Sequence, residues 1–220
     1  MIAKNYISDS LPFIRLEDTG YDALELMETF KVSHLPLVDN GNYIRLISED
    51  DIYEYNLEEK NFSQVNLPLY RPFVYENQNI FDLLVFLVSA NTTVIPVLSD
   101  KNIYQGAIIS YNLLLSILPM FGLDREGAVF AFKIKKRDYS VTKIGSIVEA
   151  NSSKILGLFT RDIDNEYMQL IIKVDTPEVT SLMQTFERYD FEVEALLYDD
   201  QEYKKLYQER LDAFLKYLSI

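Results

Sequence analysis

The sequence has no cysteine and a single histidine, His34. Without thiols there is no disulfide framework and no thiolate nucleophile, as expected of a chain kept in a reducing cytoplasm. One imidazole with no second His or Cys at ligand spacing makes a poor metal site. Glycine is scarce, 7 residues in 220, and none falls in the Gly-x-Gly-x-x-Gly or Walker spacing that cradles phosphates. No apolar run reaches the roughly 18 residues of a membrane span. The longest, Ile80 to Ala90, is interrupted by Asp82 and Ser89 and reads as a helix buried on several sides. Met1-Ile2-Ala3-Lys4-Asn5 lacks the basic start and apolar core of a secretory signal. Cations are outnumbered, 21 against 34 acids, for a net charge of −13. That balance argues against general nucleic-acid binding and against anionic membrane surfaces, since both rest on Lys and Arg meeting phosphate. The paired acids Asp50-Asp51 and Asp199-Asp200 are adjacent, so on a helix they diverge by about 100° and do not face one another. No catalytic set and no metal-ligand set is indicated, and a non-enzymatic role is expected.

What the chain does contain is a repeat. His34 to Tyr53 has a partner in Val94 to Leu115. Leu35-Pro36-Leu37-Val38-Asp39 aligns with Ile95-Pro96-Val97-Leu98-Ser99, and Leu46-Ile47-Ser48 plus Asp51 with Ile108-Ile109-Ser110 plus Leu113. Each copy reads as strand, turn, strand and helix start. Asn40-Gly41 supplies the positive φ angles of a tight hairpin, and Asp100-Lys101-Asn102 takes that place in the second copy. An offset of about sixty residues predicts two equivalent modules rather than a solenoid. Before the first hairpin, Leu11 to Leu16 is extended, and Thr19 or Asp22 caps a helix whose Ala23, Leu24, Met27 and Phe30 recur at helical spacing. A second helix near Glu49 to Leu57 opens with Glu49, Asp50 and Asp51, acids that suit a helix N-terminus. Leu67-Pro68-Leu69-Tyr70-Arg71-Pro72 is an extended connector, and Leu113 to Phe121 is an apolar element closed by Gly122.

A strand with apolar-Pro-apolar-Val-Asp, a hairpin, and then Ile-Ser-x-x-Asp at the mouth of a helix resembles the CBS domain. Two copies resemble a CBS pair, or Bateman module, over roughly residues 1–122. The resemblance implies a cleft between the copies for an adenosine-containing ligand: AMP, ATP, NAD or S-adenosylmethionine. Asp51 would hold the ribose, and Ser48 with nearby amides would meet phosphate. His34, Leu35 and Pro36 would line the strand side of the cleft, and Ser110 would be the second copy's hydroxyl. Two readings stay open for Asp51, ribose ligand or helix cap, and two for His34, adenine contact or strand-end residue. The second copy has no acid at Leu113, and the glycine that precedes this strand in the family is Arg45 in copy one and Gly106 in copy two. At most one competent cleft is expected.

Beyond Arg125 the pattern changes to strand Ala128 to Lys135, helix Tyr139 to Asn151, strand Lys154 to Asp162, strand Tyr167 to Val174, a helix opened by Thr176-Pro177-Glu178, and strand Phe191 to Tyr198. That order is ferredoxin-like. After a CBS pair it resembles an ACT domain, although Arg137-Asp138-Tyr139-Ser140-Val141 lacks the Pro-Gly that opens the ligand loop in many such domains. The order CBS, CBS, ACT is similar to that of acetoin-utilisation regulatory proteins of bacteria. Gln201 to Ile220 reads as an amphipathic helix. The expected architecture is therefore α/β (α+β), divided as 1–60, 61–122, 125–200 and 201–220. The expected function is cytoplasmic sensing of an adenosine ligand by a homodimer that acts on a further protein. The rival expectation is a constitutive homodimeric adaptor with degenerate clefts.

Overall fold

Asn40 and Gly41 take φ angles of 47° and 79° and close the hairpin of β1 (His34–Asp39) and β2 (Asn42–Ser48). An Asn-Gly pair reaches this left-handed geometry at little steric cost, and the resulting twist suits the two strands. The computed structural model describes residues 1–65, 68–175 and 179–198, and the chain divides into the compact units Met1–Ser116 and Ile117–Ile220. The fold is mixed α/β, as expected. No helix among the described residues is long and apolar enough to cross a membrane. The proposed helix start at Thr176-Pro177-Glu178, the helix from Gln201 to Ile220, the Asp199-Asp200 pair and Leu67 of the connector lie outside the described residues.

The first unit contains both copies of the repeat. In the first, α1 (Gly20–Phe30) is capped by Thr19, whose hydroxyl accepts from Asp22 N while the Asp22 carboxylate accepts from Thr19 N. The helix lays Ala23 and Met27 on a core that also holds Leu35, Leu37, Ile47 and Ile52, the last from α2 (Glu49–Glu54). The segment expected as a leading strand is reduced to a single parallel bridge, Ile14 to Leu37. The second copy pairs β3 (Val74–Tyr75) parallel to β4 (Val94–Leu98), and β4 antiparallel to β5 (Tyr104–Ile109). It carries α3 (Ile80–Ala90) and α4 (Ser110–Ile117).

Two expectations about the repeat need correcting. The second hairpin is one residue longer, with residues 99–103 between Leu98 and Tyr104 where residues 39–42 separate Val38 from Tyr43. Everything after it is therefore displaced by one position. Pro36 pairs with Leu46 as Pro96 pairs with Ala107, so Ser48 corresponds to Ile109 and Asp51 to Asn112, not to Ser110 and Leu113. Helix α3 is also less buried than its composition predicts. Ile80 and Leu83 are enclosed, whereas Phe81, Val85 and Val88 are 59%, 71% and 80% exposed and form a stripe at helical spacing.

The copies are interlocked by their leading segments. Ala3 N and Lys4 N donate to Gln78 O and Glu76 O of the second copy, and Ser8 N donates to Ala107 O. In the same way Phe62 N and Ser63 N donate to Asp18 O and Leu16 O, and Phe62 is buried in the first copy's core. The first residues of each expected module thus serve the other one. Gly106, at φ +135°, lies beneath Ile7, whose Cγ2 sits 2.5 Å from where a Cβ would stand.

In the second unit, β6 (Ala128–Lys135), β7 (Ile155–Asp162), β8 (Tyr167–Val174) and β9 (Glu192–Tyr198) form one antiparallel sheet in the order β7-β8-β6-β9. Helices α5 (Val141–Ala150) and α6 (Val179–Arg188) complete the ferredoxin-like topology. Alternation along β6 puts Phe130, Phe132 and Ile134 against Ile144, Ile147 and Val148 of α5 and Leu182 and Phe186 of α6.

Candidate functional site

The strand-to-helix junction at Ser48 is built by a reciprocal cap. Ser48 is extended, its hydroxyl accepts from Asp51 N at 3.0 Å, and Asp51 Oδ2 accepts from Ser48 N at 2.9 Å. Both orphan donors of the helix start are satisfied by residues three apart, which is why the pattern is local enough to read in the sequence. Arg45, on β2, brings Nη2 to 3.6 Å from the same Oδ2. Among the described residues the one hydrogen bond to the Asp51 carboxylate and its ion pair with Arg45 both fall on Oδ2, so no hydrogen bond engages Oδ1. The side chain of Asp51 is 22% exposed, enough to be reached. Cap and ligand holder are therefore compatible roles for one carboxylate.

Arg45 is the residue whose importance the sequence did not signal beyond its standing in place of a glycine. Its side chain is 7% exposed, and its Nη1 has no hydrogen-bond partner among the described residues. Burial lowers the guanidinium's affinity for its proton, and the Asp51 carboxylate opposes that effect.

His34 faces Ser48 across the β1–β2 register. Its Nδ1 lies 3.1 Å from Thr93 Oγ1 and accepts from Thr93 N at 3.4 Å, while Ser33 N donates to the Thr93 hydroxyl at 2.9 Å. Thr93 is the second copy's counterpart of Ser33, so the two strand entrances meet here. Glu49 N donates to Ser33 O as Ser110 N donates to Thr93 O, and this repeats the symmetry. Sequence reasoning left His34 unpartnered because Thr93 lies 59 residues away.

Burial pulls the His34 pKa below its ordinary value of 6.5, opposed by the charges of Asp51 and Asp50. Between the lowered folded value and 6.5 the unfolded chain binds more protons than the folded one. Stability is therefore whole above about pH 6.5 and declines as pH falls through that window. The slope is bounded by about 1.4 kcal/mol per pH unit for one group. Urea unfolding between pH 7.5 and 5.5 is expected to show this decline in the wild type and a flatter profile in His34→Gln; equal profiles would contradict it.

The other expected site residues are placed differently. Leu35 is fully buried in the core, and Pro36 is buried with its carbonyl accepting from Ile14 N. These two shape the strand and present no side chain to a ligand. Ser110 is 8% exposed and donates its hydroxyl to Thr92 O at 2.8 Å, which turns it away from the junction. The structure thus gathers His34, Ser48 and Asp51 and adds Arg45 and Thr93, while Ser110 is joined to Thr93 only through its amide and spends its hydroxyl on Thr92 O. In the second copy Ile109 and Asn112 replace the hydroxyl and the acid, and Ile7 covers Gly106.

A profile of the CBS domain family matches residues 3–58. No curated protein matches the chain. Among solved structures, a CBS domain pair/ACT domain protein from Thermotoga maritima is 21% identical, with 54% of this chain and 97% of that one covered at a TM-score of 0.46. CBSX2 in complex with AMP is 19% identical, with 56% and 98% covered at 0.45. The CBS domains of a transcriptional regulator from Streptococcus pneumoniae are 16% identical, with 52% and 98% covered at 0.45.

Proposed function

We propose that the first unit, whose residues 3–58 match the CBS domain, is a non-catalytic regulatory module that takes an adenosine-containing ligand at the Ser48–Asp51 junction. The observation that carries this reading is the capped junction itself, with one oxygen of a largely sheltered carboxylate unspent beside a helix N-terminus. Asp51 Oδ1 accepts from the ribose hydroxyls, and the Ser48 hydroxyl and the Asp50 amide meet phosphate, because the Ser48, Glu49 and Asp51 amides already donate to Asp51 Oδ2, Ser33 O and Ser48 Oγ. Arg45 and His34 flank them. AMP, ATP, NAD and S-adenosylmethionine share the adenosine such a site reads. The second copy, with Ile109 and Asn112 in place of Ser48 and Asp51, takes no part in ribose binding.

The cytoplasmic sensor works as a homodimer on this reading. The apolar stripe Phe81, Val85 and Val88 on α3, with Tyr111 67% exposed on α4, is a surface that a second copy would bury. The second unit, with its ferredoxin-like order, acts as an ACT-like element that carries the change to a partner protein. Its β6–α5 connection lacks the Pro-Gly of an amino-acid loop. A ligand shifts such a dimer only by binding one arrangement better than the other. The specific reason to keep the adaptor reading is Arg45, which already occupies Asp51 Oδ2.

Thermal unfolding of the wild type and Asp51→Asn with AMP, ADP, ATP, NAD and S-adenosylmethionine tests the proposal. A ligand at about 100 times its Kd stabilises by about 2.7 kcal/mol, a rise of several degrees in Tm. The rise is expected in the wild type and not in Asp51→Asn; no rise with any of the five leaves the adaptor. Sedimentation as a monomer at micromolar concentration would remove the dimer.

A further inference from the structure

On the outer side of the second unit, between α5 and α6, lies a groove of about 690 Å³. Both helices turn their large apolar residues inward, Ile144, Ile147 and Val148 from one and Leu182 and Phe186 from the other. The facing positions left between them are small or polar. Ser146 and Ala150 come from α5, Ser181 and Thr185 from α6, and Asn151 closes one end. Small side chains along both helices open the space, and Lys143 and Arg188 stand at the opposite end.

The polar groups are ordered by one another. Asn151 Oδ1 accepts from Ser181 Oγ at 3.1 Å and lies 3.3 Å from Thr185 Oγ1, a hydroxyl on a residue only 7% exposed. Arg188 Nη2 donates to Thr185 Oγ1 at 2.9 Å, and Lys143 Nζ donates to Tyr189 O at 3.0 Å. Both cations are thus held by neutral acceptors. No acid lines the groove, and no carboxylate among the described residues pairs with either cation. In a chain with a net charge of −13, a groove whose described lining holds two cations and no acid is a local reversal of sign, with Arg188 as its principal charge, since Lys143 also lies over the Tyr189 and Phe191 rings beside Asp138, Asp190 and Glu192.

We propose that this groove binds a small organic oxyanion, a phosphate or carboxylate carried on a body that fills the space between α5 and α6. The guanidinium of Arg188 offers a planar fork of donors that matches such an anion, and Lys143 adds a point charge. The hydroxyl of Ser146 supplies a neutral donor, while that of Ser181 is spent on Asn151 Oδ1. The volume is that of a metabolite site rather than of a single ion. Nothing in this site depends on the junction at Ser48 in the other unit.

Titration of the full-length chain at constant ionic strength with inorganic phosphate, glycerol 3-phosphate and succinate, followed through the amide resonances of Ser146, Ser181 and Thr185, tests the proposal. Saturable shifts at these amides with at least one probe are expected, weakened at least tenfold in Arg188→Gln and in Lys143→Gln. Both residues are exposed, so the variants keep the fold, and the Ser48 and Asp51 amides report separately on the first unit. A response to the two phosphates alone assigns a phosphorylated ligand, and a response to succinate alone a carboxylate. No saturable shift with any probe, shifts confined to Ser48 and Asp51, or shifts that persist in the Arg188→Gln/Lys143→Gln double variant would overturn it.

Discussion

Phe186→Ala is expected to destabilise the second unit by about 3–5 kcal/mol, the cost of emptying a fully enclosed aromatic site. Phe186 has no exposed surface. Its ring centroid lies 4.7 Å from that of Phe132, 5.4 Å from Phe191 and 5.7 Å from Phe130, so its removal strips a contact from each of three rings. The hole has little means of closing. Phe130 and Phe132 stand on β6, which is paired on both sides, with β8 and with β9, and so cannot shift inward without breaking ladder hydrogen bonds. Phe186→Leu keeps most of the volume and is expected to cost less than about 1.5 kcal/mol. Urea unfolding followed by circular dichroism measures both, and a loss below 1 kcal/mol for the alanine variant would contradict the packing described. Ile147→Val, in the same core, would then be the milder check, at about 0.5–1.5 kcal/mol.

Asp51→Ala is expected to cost about 2–4 kcal/mol, more than a helix cap alone explains. Loss of the Asp51 half of the reciprocal cap, the bond from Ser48 N, accounts for about 1 kcal/mol, while the Ser48 hydroxyl still accepts from the amide of residue 51. The remainder comes from Arg45, whose guanidinium is left buried with no opposite charge. For a fully buried pair the removal of one partner costs about 3–5 kcal/mol. The 3.6 Å separation and the 22% exposure of the Asp51 side chain reduce that figure here. A second variant separates the two contributions. In an Arg45→Met background there is no orphaned charge, so Asp51→Ala is expected to cost only that half of the cap, about 1 kcal/mol. The coupling between the two sites should then be about 1–3 kcal/mol by a double-mutant cycle. Equal cost in both backgrounds would mean that the ion pair does not hold Arg45. Asp51→Asn keeps an acceptor for Ser48 N and so spares the cap in a ligand measurement, although it too leaves Arg45 without its opposite charge.

Much of the fold rests on interactions between near neighbours and was legible. Ser48 and Asp51 cap each other three residues apart, as do Thr19 and Asp22. Asn40-Gly41 closes a hairpin between strands that touch it directly, and β6 and β8 run over the residues that alternation marks. The displacement of Ser110 was not legible in that way. It follows from one extra residue in the second turn, which aligning serine with serine conceals, because the alignment reads identity while the sheet reads register. The Thr93 partner of His34 was hidden by sequence distance, and the role of Arg45 by the absence of any spacing rule for a buried guanidinium.

By itself the sequence determined most of the described elements with their caps and turns, the existence of the repeat, the ferredoxin-like order of the second half and the acidic charge. These depend on backbone preference, on periodicity and on partners within one turn of helix. The tertiary structure alone decided that residues 3–8 and 62–63 would each be claimed by the other copy, that Ile7 would cover Gly106, that α3 would leave Phe81, Val85 and Val88 exposed, and that Lys143 and Arg188 would share one groove. Each of these joins groups far apart along the chain. Such contacts are chosen by which apolar faces can be buried together, and that choice belongs to the folded chain as a whole rather than to any stretch of it.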